Sequence, residues 1–316
     1  MTMKTRNLPI LDLLAIAGIF ILIYSGYSTP ANLLIGAYLL FTVYRNFPTL
    51  QATKGSRAYN AGNTDMAMTY FKKAVKHPFA KPYIKSSFGY ILLREGNLTE
   101  AEKYLVEAEN SKMKDPRFRY NNILNMAILE WKKGNLPKAI DIVEEIKEEY
   151  KNSIMYEILG YLYIASGDYE KALSFNKEAY EYNKDDYVIT DNLAQSYFFL
   201  GDLEKAEALY EKAIDYIKFP EAHYYYGQIL QKKGDYLGAH DALKRALRLK
   251  MSFLSIITKE DIEEKFDALQ KEMTEKNLTL ESLEEEKKKQ EEEAKLLEEK
   301  AKEESDEKET SEYKVD

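Results

Sequence analysis

The chain has 316 residues, with 45 basic and 53 acidic side chains, a net charge of -8 and no cysteine. The lack of cysteine excludes a disulfide framework, thiol chemistry and cysteine zinc sites, and the lack of a basic excess argues against nucleic acid as a partner. Residues 281–316 hold sixteen acidic residues against eight lysines, which accounts for the whole imbalance and leaves the rest near neutral.

Residues 8–27, LPILDLLAIAGIFILIYSGY, form an apolar run broken only by Asp12, long enough at about 1.5 Å per residue to cross a hydrocarbon core of about 30 Å. A second apolar run follows over about 30–47, with Thr29 as a cap and Pro30 at the first helical position, and Tyr44 and Phe47 suit a membrane interface. Together they predict a two-helix transmembrane anchor over residues 1–47. A cleavable signal peptide is the first alternative, against which the immediate second apolar run argues. A hydrophobic helix pair packed on the rest of the protein is the second, against which the missing polar face argues. Lys4 and Arg6 before the first run, Arg45, Lys54 and Arg57 after the second, and an uncharged connection predict a multi-pass protein of the cell (inner) membrane with both ends cytoplasmic. Gly18, Gly36 and Ala37 would permit close helix packing there.

From residue 48 the sequence becomes periodic. Gly62, Gly96, Gly134, Gly167, Gly201 and Gly234 follow one another at steps of 34, 38, 33, 34 and 33 residues, and each precedes an Asn or Asp. Five residues past each glycine stands Ala67, Ala101, Ala139, Ala172, Ala206 or Ala239. Twelve past come Ala74, Ala108, Ile146, Ala179, Ala213 and Ala246, and seven before come Gly55, Gly89, Ala127, Gly160, Ala194 and Gly227. A glycine ends a helix in the left-handed conformation, the next Asn or Asp caps the following helix, and the small residues let paired helices approach. The 38-residue step predicts a longer loop around Lys112 to Arg117.

This spacing resembles the tetratricopeptide repeat, a helix-turn-helix unit of about 34 residues. The resemblance implies an all-α solenoid of six repeats over 48–253, at about 48–81, 82–119, 120–152, 153–186, 187–219 and 220–253. With the anchor it is similar to membrane-anchored bacterial members of that family. After the array, Ile262, Phe266, Leu269 and Met273 behind a Thr258 cap predict an amphipathic capping helix over 254–276. Residues 277–316 form an acidic Glu/Lys-rich tail, which could be read as coiled coil. Between Leu283 and Leu296 its only small apolar residue is Ala294, so no seam persists over three heptads, and a solvated helix passing into disorder is the better reading.

In such arrays the first helices of successive repeats line a concave groove. Alignment on the turn glycines places Tyr59, Tyr83, Tyr90, Asn125, Trp131, Tyr161, Asn192, Gln195, Phe198, Tyr224 and Gln228 there. Tyr and Trp give contact area at low entropy cost and Asn can bond both sides of a peptide group, so an extended protein or peptide segment is the expected partner. Asn125 and Asn192 occupy the register that resembles the family's backbone-reading asparagines. The clamp that some members use for a C-terminal carboxylate is absent, its positions being Ala52, Ser86 and Leu124. The alternative is that these aromatic side chains only complete packing between helices.

His77, His223 and His240 are scattered, without partners at ligand spacing, so no catalytic residue, cofactor or metal is expected and the protein reads as no enzyme. The resemblance implies a membrane-anchored adaptor or scaffold. A self-assembling structural membrane protein, with homo-oligomers, and a regulatory subunit of a membrane-bound enzyme are the alternatives.

Overall fold

A computed structural model describes residues 10–111 and 113–312, and every regular element among them is an α-helix, fifteen in all. They fall into two compact units. Unit 1 holds α1 (Ile10–Tyr24), α2 (Ser28–Asn60), α3 (Thr64–Val75), α4 (Pro82–Arg94), α5 (Leu98–Glu109) and α6 (Pro116–Lys132) as far as Met126. Unit 2 holds the Arg94–Gly96 turn, the rest of α6, α7 (Leu136–Ile146), α8 (Ser153–Ser166), α9 (Tyr169–Tyr182), α10 (Tyr187–Phe199), α11 (Leu203–Ala213), α12 (Pro220–Lys233), α13 (Tyr236–Arg248), α14 (Lys259–Glu275) and α15 (Leu280–Glu312).

The six periodic glycines all turn the backbone with φ between 77° and 91°, a conformation that costs a residue with a Cβ. Five of the following Asn or Asp residues accept a hydrogen bond from the first turn of the next helix, for instance Asn63 from Met66 and Asp168 from Lys171. Asn135 differs: its amide donates to Glu130 at 2.9 Å instead of capping α7. The alanines five past each glycine are fully buried. Where the residue seven before the turn is glycine, it faces the residue nine after the turn. A Cβ on Gly55 would meet Phe71 at 2.6 Å, one on Gly89 Leu105 at 2.7 Å, and one on Gly227 Leu243 at 2.8 Å. Backbone thus packs directly against a large side group, which is why paired helices can lie so close.

Two expectations require correction. The transmembrane hairpin does not stand: no helix among the described residues is long and apolar enough to cross a membrane. The α1 helix has 15 residues, about 22 Å against the roughly 30 Å needed. The second apolar run does not end at Pro48 but continues unbroken through Asn60, so that α2 passes from apolar residues to Gln51, Lys54 and Arg57 and its second half is the first helix of the first repeat. The multi-pass inner-membrane placement falls with it. Residues 8 and 9, and the flanking Lys4 and Arg6, lie outside the described residues. Asp12 is buried in the α1–α2 contact, accepting from Arg45 at 2.7 and 3.0 Å and from the Tyr38 hydroxyl at 3.2 Å.

The second correction concerns the 38-residue step. The connection from α5 to α6 has six residues, Asn110 to Asp115, as does that from α7 to α8. The extra residues lengthen α6 to 17, because Asp115 accepts from the Arg117 N–H at 3.0 Å and Pro116 fits the first helical position, starting the helix a turn early. Lys112 itself is outside the described residues.

At the far end of unit 2, Thr258 and Asp261 form a capping box that starts α14. Leu269 and Met273 of α14 close over Leu230, Ala239 and Leu243, with Leu280 and Leu283 of α15 packed alongside.

Candidate partner-binding face

In unit 1 the aligned residues Tyr59, Tyr83, Tyr90 and Asn125 are all half-buried. Tyr83 stacks on Phe118 with ring centroids 4.6 Å apart, and its hydroxyl lies 3.5 Å from that of Thr49. Asn125 donates to the Ser86 hydroxyl at 3.3 Å. Tyr83 therefore links α2, α4 and α6, and Asn125 links α4 and α6.

In unit 2 the same register divides into buried and accessible members. Asn192 and Gln195 are fully buried on α10. Asn192 donates to the carbonyl of Glu157 at 2.8 Å and Gln195 to Asp191 at 2.8 Å, so neither presents an amide to a ligand. Phe198 packs between Phe199 and Tyr225, with the Lys232 ammonium 4.9 Å from its ring centroid. Tyr224 and Gln228 lie half-buried along α12.

Trp131 on α6 and Tyr161 on α8 meet edge to face, with centroids 5.6 Å apart. The Tyr161 hydroxyl then reaches past α10 to Glu221 on α12, donating at 2.8 and 2.7 Å to its two oxygens. Two helix-to-helix steps span about 16–20 Å, too far for a tyrosine and a glutamate to bridge across a flat surface. The face formed by the first helices of unit 2 is therefore hollow, and Tyr161 and Glu221 meet in front of α10.

That hollow is occupied by the protein's own backbone. Between α13 and α14 the non-helical residues 249–258 cross the face. The Ile256 N–H donates to the Tyr161 hydroxyl at 2.8 Å, Lys132 of α6 donates to the Ser255 carbonyl at 3.2 Å, and the Ser255 hydroxyl donates to Glu221. The Lys132 ammonium lies 4.1 Å from the Trp131 ring centroid and 5.0 Å from that of Phe253. Phe253 also donates its N–H to the carbonyl of Arg94, in the turn that belongs to this unit, at 3.2 Å.

Burial sets the electrostatics. Glu221 is 6% exposed, and burial pushes its carboxyl up, against the opposing pull of hydrogen bonds from Ser255 and Tyr161 and of the Lys132 charge. Burial pushes Lys132 down and the Tyr161 phenol well up. Behind them Asp191, which accepts from Tyr210 at 2.7 Å, is raised to about 8, first by burial and then by the charge of Glu221. The face thus offers one phenol, one carboxyl and one ammonium in a poorly hydrated hollow. That set recognises a backbone N–H, a backbone carbonyl and a hydroxyl group.

Sequence reasoning found Trp131 and Tyr161 but missed Lys132, Glu221 and Ser255. Charged residues in helices usually mean a solvated face, and Glu221, second residue of α12, has the look of an ordinary first-turn acid. The available signal was the apolar stretch Met251–Ile257, too short for a helix of its own and too apolar for a solvated loop.

Comparison with known proteins agrees with this architecture. Tetratricopeptide repeat family models match residues 124–186, 163–229 and 220–252. A TPR repeat-containing protein of Methanocaldococcus jannaschii is 26% identical over 158 residues, 49% of this protein and 27% of its own length. The protein ycf37 of Pyropia yezoensis is 37% identical over 60 residues, 19% of this protein and 34% of its own length. The sequence thus spans about a third or less of the curated relatives it matches. Among solved structures, a tetratricopeptide repeat protein from Parabacteroides merdae superposes with a TM-score of 0.55 at 15% identity, covering 81% of this protein and 97% of that one. Tetratricopeptide arrays in general bind protein partners as adaptors and scaffolds. By its turn glycines, its buried alanines and these matches together, the stretch over residues 124–252 is built of tetratricopeptide repeats.

Proposed function

We propose that this protein is a non-catalytic adaptor that holds a partner protein by an extended peptide segment laid across the first-helix face of unit 2. The observation that carries the reading is the hydrogen bonding of residues 255–256: a tyrosine on α8 and a lysine on α6 bind the backbone N–H and carbonyl of a non-helical segment. Backbone reading accepts many sequences, and the rings of Trp131 and Tyr161 beside it supply apolar contact area.

The test is a photoreactive residue at position 161 of the full-length protein, introduced in the native host. The expected product is a covalent adduct with a second protein, reduced several-fold by Lys132→Ala. Adducts confined to the protein's own residues 249–258, whatever the growth condition, would sink the reading.

A further inference from the structure

We infer that residues 250–257 are a built-in occupant of this face, a strap seated where the partner sits, and that the partner segment carries the strap's own recognition pattern: an aromatic residue two positions ahead of a Ser or Thr. This rests on the peptide-binding reading above and specifies what the peptide is and what holds the site closed.

The first argument is how the strap is held. Ile257 is buried in the core cluster of α10 to α14, and Met251 and Ile256 pack half-buried against the same cluster. Between them Phe253 is 46% exposed, and Ser252 and Leu254 are half-buried. This stretch is also gripped by side groups from three helices far apart in sequence: Lys132 on α6, Tyr161 on α8 and Glu221 on α12. The strap is thus anchored on the core by its apolar residues while its middle is read by polar groups, as a ligand is.

The second argument is specificity. The Lys132 ammonium lies within cation–π range of Phe253 and Trp131 while donating to the Ser255 carbonyl. Two residues on from Phe253, the Ser255 hydroxyl supplies a second donor to Glu221, beside the Tyr161 hydroxyl shared between its two oxygens. Removing the strap leaves a buried carboxyl one donor short and uncovers the lysine. A partner bringing an aromatic ring and a hydroxyl at the same spacing restores both, so exchange is nearly balanced; one lacking the hydroxyl leaves Glu221 undersatisfied, which is costly in a dry site. The strap thus screens for its own likeness.

A closed strap lowers apparent affinity by the fraction of molecules that are open, so a tenfold gain on releasing it means closure in about nine molecules of ten. The experiment uses the full-length protein and a fluorescein-labelled, end-capped peptide of its own residues 249–258. Binding by fluorescence anisotropy is compared between the wild type and Phe253→Ala/Ser255→Ala, with helicity checked by circular dichroism. Should the double variant lose helicity, Ser255→Ala alone replaces it. At least tenfold tighter binding to the released variant is expected. Adding Tyr161→Phe should reverse that gain, and a peptide with the same Phe and Ser changed to Ala should bind at least tenfold more weakly. Equal affinity of wild type and released variant, or indifference to the peptide's Phe and Ser, overturns the strap. The two readings fail separately: a partner adduct at position 161 with no gain on release removes the strap and leaves the adaptor, whereas a gain on release with only internal adducts removes the adaptor.

Discussion

A Cβ on Gly160 would stand 1.9 Å from the Oδ1 of Asn176. Asn176 occupies the position filled by Phe71, Leu105 and Leu243 in other repeats, yet it is fully buried. Its amide nitrogen donates to the Ser196 hydroxyl at 2.9 Å and to the Asn192 carbonyl at 3.3 Å, so it fastens α8, α9 and α10 together. Gly160→Ala would push this amide off its partners. The expected loss is about 2 kcal/mol or more, combining overpacking with a broken buried hydrogen bond. In contrast Gly36, inside α2, has nothing within 4 Å of its Cβ position, and Gly36→Ala should gain about 0.5–1 kcal/mol of helix propensity. Thermal melts of the two variants moving in the same direction would contradict this packing.

The alanine register gives a second test. Ala172 is fully buried against the preceding helix, while Glu170 two residues earlier is exposed. Ala172→Phe should cost about 1–3 kcal/mol, whereas Glu170→Phe should stay within about 0.5 kcal/mol. Chemical denaturation midpoints that coincide for the two would mean the register is misassigned.

The Asp12–Arg45 contact gives a third. Asp12 is buried and Arg45 half-buried, and the pair bridges α1 and α2. Arg45→Ala leaves a buried carboxylate with only the Tyr38 hydroxyl, at a cost of about 1–3 kcal/mol. Because α1 packs on α2, the loss should appear as faster hydrogen exchange in α1 with α8 to α12 unchanged. Uniform acceleration throughout the protein would show that α1 has no local stability of its own.

These three sites mark where sequence was informative. The repeat was legible because it rests on residues with one physical role, glycine at positive φ and alanine at a close helix contact. The N-terminal hairpin misled because an apolar run measures burial demand and not length: α1 ends at Tyr24 after 15 described residues, and α2 carries its apolar half straight into the first repeat. The face was half legible. Aromatic residues at the right register pointed to Trp131 and Tyr161, but Asn192 was read as an exposed reader of peptide and is instead a buried donor to Glu157. Asn192→Ala should therefore lower the melting point. The strap was invisible because no helical periodicity marks a segment that crosses other helices.

The buried carboxyls of unit 2 give a pH dependence with a defined sign. Asp191 is raised from an ordinary value of 3.8 to about 8 by burial and then by Glu221, and Glu157 from 4.5 to about 7 by burial and then by Asp186. The folded protein holds these protons more tightly than the unfolded one, so their stabilisation is complete below the unfolded values and is lost as pH rises toward 7 and 8. The melting point should fall from about pH 4 to about pH 8. Asp191→Asn should make that fall shallower. Tyr210 keeps an oxygen acceptor in the variant, and the new amide can donate to the Gln195 Oε1, which is buried and has no partner in the wild type. The substitution is thus accommodated by turning one side group, and it removes the titration without removing the network. Melting curves recorded at half-unit intervals should show wild type and Asp191→Asn differing least below about pH 4 and drawing apart as pH rises from there to about 8, with the variant gaining relative to the wild type. Curves that stay parallel across that window would place the titrating group elsewhere.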